Sequence, residues 1–63
     1  MEYEKMETAA LLIVESGLSS YEPEIMWELA KRADMETLWF NAEYNLDFED
    51  AYKAIIEKLT SQS

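Results

Sequence analysis

Apolar residues recur along this chain at three different spacings. Tyr3, Met6, Ala10, Ile13 and Val14 fall at helical intervals, and Gly17 follows where a helix would end, with Leu18 placed to fold back on Ile13 in a Schellman-type stop. This predicts a first helix ending near Ser16. The run Ala9 to Val14 is apolar on every side, so it fits a buried strand equally well, and in either form both of its sides need cover. A second helix is predicted from Pro23, whose fixed φ suits the first helical position and whose missing N–H would be unpaired there anyway. Its stripe is Ile25, Met26, Leu29, Ala30 and Ala33. Glu22 and Glu24 lie near its positive end, Lys31 and Arg32 near its negative end, and Glu28 can pair with both bases. A third helix is predicted after Asp47, which is placed as N-cap with Asp50 at the third helical position. Phe48, Ala51, Tyr52, Ile55, Ile56 and Leu59 form its stripe, Glu49 and Lys53 an exposed pair, and residues 60–63 are expected to fray.

Between the last two helices the spacing changes again. From Leu38 to Phe48 every even position is apolar or aromatic, and every odd one except Trp39 is polar. Leu38, Phe40, Ala42 and Tyr44 would share one face of a strand over 37–44, with Trp39, Asn41, Glu43 and Asn45 on the other. A lone strand leaves its backbone groups unpaired, and antiparallel pairing with the same strand of a second copy would satisfy them. Alternatively the second helix runs on through Asp34 to about Asn41, since no glycine or proline intervenes, and the strand is then 8–14. Trp27 falls well outside the stripe of its helix, which implies either a second surface to bury or a ring lying over its own helix.

Composition sharpens the case for association. A 63-residue chain is one domain at most and removes only about 60% of its unfolded surface from water. With no cysteine and no histidine, neither disulfides nor the commonest zinc ligands can compensate, so self-association remains. Fourteen acidic against five basic residues give a charge of −9, which disfavours direct binding to nucleic acid or to anionic membranes and points to protein partners. The longest apolar run is far below the ~20 residues of a membrane span, and Glu2, Glu4 and Glu7 precede it where a signal peptide would be basic. A cytoplasmic protein is expected.

Catalytic chemistry finds few candidates. Acid–base catalysis near neutrality needs histidine or a carboxylate of raised pKa, and all the carboxylates fall at positions predicted to be solvated, so no enzyme is expected. Ser16, Ser19 and Ser20 lack a base. Asp47, Glu49 and Asp50 lack the order of a calcium loop, and the single glycine rules out a phosphate-binding loop; neither metal nor cofactor is expected. Two tryptophans, four tyrosines, two phenylalanines and four methionines are instead a surplus for so short a chain. They cover either a twin subunit or another protein, unless core packing in a compact monomer absorbs them all.

Over its full length, from "MEYEKMETAALLIVESG" through "YEPEIMWELAKRADMETLWF" to "DFEDAYKAIIEKLTSQS", the chain resembles the small acidic lytic-development proteins that lambdoid bacteriophages encode between their exonuclease and excisionase genes. The resemblance implies an early phage product that favours lysis in the bacterial host cytoplasm, and a dimer whose protomer has two helices and one strand. It brings no catalytic residues.

The expectation is therefore a mainly α protomer of two to three helices plus one short strand, a single dimerising domain over 1–63 that forms an intertwined homodimer. It would act without catalysis, binding a host or phage regulatory protein. Met26, Trp27, Met35, Leu38, Trp39, Phe40 and Tyr44 are the expected dimer or partner contacts, since aromatics and methionine are enriched at such surfaces. The alternative is an acidic DNA mimic, in which Glu49, Asp50 and Glu57 occupy the phosphate site of a DNA-binding protein.

Overall fold

The longest amphipathic patterns become helices as the spacing dictates. In a computed structural model, which describes residues 2–61, α2 spans Pro23–Arg32 and α4 spans Phe48–Ser61. Ile25, Met26, Leu29 and Ala30 are all buried on α2 with Ala33 at its cap, and Ala51, Ile55 and Leu59 on α4, where Phe48, Tyr52 and Ile56 pack at the margin. The Glu49 and Lys53 side chains of α4 meet at 3.2 Å in solvent.

Elsewhere the expected fold is corrected: every regular element among the described residues is helical, and there is no strand. Residues 37–44 lie within α3, Glu36–Asn45, and residues 8–14 within α1, Thr8–Ser16, preceded by a 3-10 turn at Tyr3–Lys5. A helix pairs its own backbone groups, whereas a strand at 37–44 would have no partner within one chain. Trp39, the exception to the alternation, shows the register that prevails. Met35, Trp39 and Ala42 follow at helical steps, and Trp39 is 1% exposed while Ala42 is buried.

Nor does α2 run on into α3. Asp34 takes a left-handed conformation, φ 56°, and the N–H groups of Met35 and Asp34 bond back to the carbonyls of Ala30 and Lys31 at 2.8 and 3.1 Å. This is a Schellman stop with an aspartate where glycine is usual. The same pattern closes α3, with Leu46 at φ 57° and Asp47 N–H donating to the Ala42 carbonyl at 3.0 Å. Gly17, where such a stop was expected, is right-handed at φ −89°, and α1 ends instead in tight bonds from Gly17 to Val14 and from Leu18 to Glu15.

α2 is the hub of the fold. α1, α3, α4 and the 3-10 turn all pack on it, and α3 and α4 also pack on each other. Arg32, at the end of α2, fastens the amino-terminal segment. Its guanidinium donates to Glu28 Oε2 at 2.8 Å, Thr8 Oγ1 at 3.1 Å and the Tyr3 and Glu4 carbonyls at 3.2 and 3.3 Å. The Lys58 ammonium of α4 donates to the Ala33 carbonyl just past α2. Tyr21, Trp39, Phe48 and Tyr52 cluster over one end of the core, Trp39 and Phe48 with ring centroids 5.5 Å apart. The radius of gyration, 10.7 Å, matches the ~10.6 Å of an ordinary 63-residue domain. The surface, 4408 Å², is close to the ~4,200 Å² of a monomer this size. One copy thus closes on a core of its own.

Candidate functional site

The residues expected at an interface divide into two groups. Met26 and Trp39 belong to the core of the single chain, and Met35 packs against it at the α2–α3 junction. Phe40 and Tyr44 lie on the open side of α3, 58% and 83% exposed, and Leu38 is exposed at its margin. Four residues apart, Phe40 and Tyr44 are neighbours on the helix surface. Leu46, at 79% exposed, is the left-handed cap that follows the last residue of α3.

Leu46 was not among the expected contacts, and nothing in the sequence sets it apart from the other even-numbered apolar residues of the segment. Ile13 and Val14 were also missed as contacts, although the all-round apolar run around them signalled a need for cover on both sides. In the fold Leu11 turns inward, while Ile13 and Val14 stay exposed.

Trp27 is half-buried in a groove of about 480 Å³ lined by Tyr3, Glu4, Pro23, Glu24, Glu28, Lys31 and Glu36. Glu28 is already engaged, 3.0 Å from Lys31 and 2.8 Å from Arg32, and the Arg32 hydrogen bond, helped by Lys31, holds its pKa below the usual carboxylate value. Of the acids offered to a DNA-binding protein, Glu49 is paired with Lys53, while Asp50 and Glu57 are exposed on α4.

Two carboxylates depart from the expectation that all are solvated, the ion-paired Glu28, whose side chain is 11% exposed, and Glu15. Glu15 is 4% exposed, and its Oε2 has no hydrogen-bond partner. Burial pushes its pKa up, the Glu22 backbone N–H opposes this, and the Glu22 carboxylate adds to it. Burial, reinforced by the charge of Glu15, likewise raises the pKa of Tyr52. Glu15 and Tyr52 line one groove with Ser16, Leu18, Ser19, Ser20 and Tyr21, and the Ser16 hydroxyl donates to the Ile13 carbonyl at 2.8 Å.

Among the described residues no cluster of His, Cys, Asp and Glu is arranged to hold a metal ion, and no helix is long and apolar enough to cross a membrane. No protein family, curated protein or solved structure matches this chain.

Proposed function

We propose that this protein is a non-catalytic regulator that works through protein–protein contact as a homodimer, joined through the α3 ridge of Phe40 and Tyr44 with the exposed Leu46 beyond it contributing. The resemblance to lambdoid early proteins supplies the setting, an early phage product that promotes lytic development by engaging a host or phage regulatory protein.

One observation carries the proposal. α3 buries Trp39 and Ala42 in the core and leaves Phe40 and Tyr44 exposed one turn apart on the other side, beside the polar Thr37 and Asn41. Covering side chains such as Phe40 or Leu46 contributes about 1.5–3 kcal/mol each when burial is complete. A standard interface covers roughly 800 Å² per partner, a little under a fifth of the 4408 Å² available. Two copies at −9 repel one another, so an apolar dimer tightens as salt is added.

Sedimentation at micromolar concentration tests this. A dimer is expected, and Phe40→Glu with Tyr44→Glu is expected to give a monomer of unchanged helix content, because both positions are exposed. A wild-type chain that sediments as a folded monomer, or a double variant that assembles like wild type, overturns the proposal. Trp39 is unsuited to this test, since a charge there attacks the core.

A further inference from the structure

The structure assigns a second surface: we infer that the groove beside Trp27 binds a basic peptide segment of a partner protein, seating one of its arginine side chains against the indole. This deepens the protein-contact function above and rests on it, but uses a different face of the molecule from the α3 ridge.

Three separate parts of the chain build the groove. The 3-10 turn contributes Tyr3 and Glu4, the start of α2 contributes Pro23, Glu24 and Trp27, and the start of α3 contributes Glu36. Its volume of about 480 Å³ lies within the ~300–1,000 Å³ typical of pockets that enclose small ligands. Four carboxylates face one ammonium, that of Lys31, around an apolar lining of Trp27, Tyr3 and Pro23. Lys31 is spent on Glu28, at 3.0 Å. The carboxylates of Glu4, Glu24 and Glu36 have no ion pair or side-chain hydrogen bond among the described residues. Glu24 and Glu36 also complement the positive ends of α2 and α3, a role that leaves their oxygens free for a ligand.

This chemistry selects a cation with a flat, weakly hydrated face. A guanidinium stacks on an indole and donates in a fork to carboxylates at its edge, which a lysine ammonium does less well. An anionic or purely aliphatic ligand would meet uncompensated acids. Arg32 already makes guanidinium contacts on the same segments, to Glu28 and to the Tyr3 and Glu4 carbonyls.

The test is an NMR titration of the full chain with the peptide acetyl-Gly-Arg-Arg-Gly-amide, read at the two indole N–H signals. The same peptide with both arginines replaced by citrulline serves as neutral control. The Trp27 signal is expected to shift saturably at millimolar peptide, while that of buried Trp39 stays in place. Citrulline, or the combined Glu4→Gln, Glu24→Gln and Glu36→Gln variant, should weaken binding at least tenfold; all three positions are exposed, so the variant folds. Added salt should also weaken it, opposite to its effect on the dimer. No shift of Trp27, equal binding of the citrulline peptide, or Trp39 moving in step with Trp27 overturns the assignment. Repeating the titration on the Phe40→Glu, Tyr44→Glu double variant separates the two surfaces, since a groove that responds there stands whatever sedimentation shows.

Discussion

Leucine is a poor choice for position 46 of an isolated monomer, and replacing it with glycine should move two properties in opposite directions. The residue is left-handed at φ 57°, ψ 34°, a conformation that costs an L-amino acid roughly 1–2 kcal/mol and glycine nothing. Glycine returns about 0.5–1 kcal/mol of that through the greater freedom of the unfolded chain. Little packing is lost, because the side chain is 79% exposed. Leu46→Gly is therefore expected to stabilise the protomer by about 0.5–1 kcal/mol, a rise of roughly 2–8 °C in Tm for a domain this small. Because the same exposed side chain is proposed to contribute to the dimer contact, the substitution should also weaken self-association. Thermal unfolding by circular dichroism in dilute solution reads the first effect, and sedimentation at micromolar concentration the second. Leu46→Ala separates the causes: it keeps the strain and removes the exposed side chain, so it should weaken assembly with little gain in Tm. A Leu46→Gly protomer that melts lower refutes the strain argument, and one that assembles like wild type removes Leu46 from the interface.

Arg32→Met keeps the aliphatic stem but loses four acceptors, one of them the mostly buried Glu28, and should cost about 2–4 kcal/mol in urea unfolding; a loss below about 1 kcal/mol would show that solvent replaces those contacts. Arg32→Lys should recover only part, since an ammonium cannot fork to all four. Glu15 and Glu28 should respond to pH with opposite signs. The pKa of Glu15 is raised on folding, so its contribution is fully present below the ordinary value of 4.5 and is lost as pH rises through the folded value. Glu15→Gln is then expected to stabilise by about 1 kcal/mol at pH 7 and hardly at all at pH 4, where a constant difference would be contrary. The pKa of Glu28 is lowered, so its contribution is present above 4.5 and is lost as pH falls through the folded value. Glu28→Gln should thus cost stability at pH 7 and progressively less toward pH 3. Lys58→Met leaves the Ala33 carbonyl without its donor and should lower the urea midpoint by an amount equivalent to about 1 kcal/mol; an unchanged midpoint would mean that water serves as well.

α2 and α4 were legible because each carries one apolar stripe and a polar remainder, which only a helix reconciles. α1 was legible as a helix ending near Ser16, although its all-round apolar run fitted a strand as well; α3 was not, because exposed Phe40 and Tyr44 leave it without a single apolar stripe. In α3 the residues of the open side, Phe40 and Tyr44, interleave with inward Trp39 and Ala42 to give a period of two that mimics a strand. The breaks at Asp34 and Leu46 were invisible because the usual marker is glycine, and the one glycine present is right-handed. The surplus of aromatics and methionines marked Phe40 and Tyr44 on the same ground as Met26 and Trp39, and only the packing of α2 against α3 and α4 separates the exposed pair from the buried one. The Trp27 groove and the Arg32 fastening join segments more than twenty residues apart, so no local pattern announces either.

The hub position of α2 leaves the two flanks of the molecule unequal. α2, α3 and α4 brace one another as a triangle, whereas α1 leans chiefly on α2 and is held at its beginning by the Thr8 hydroxyl on Arg32. α1 can therefore peel away as the least costly sub-global opening, leaving the triangle standing. Amide protons of Leu11 and Leu12 should then exchange with solvent sooner than those of Leu29 and Ala30, giving the molecule a loose outrigger on a firm three-legged frame.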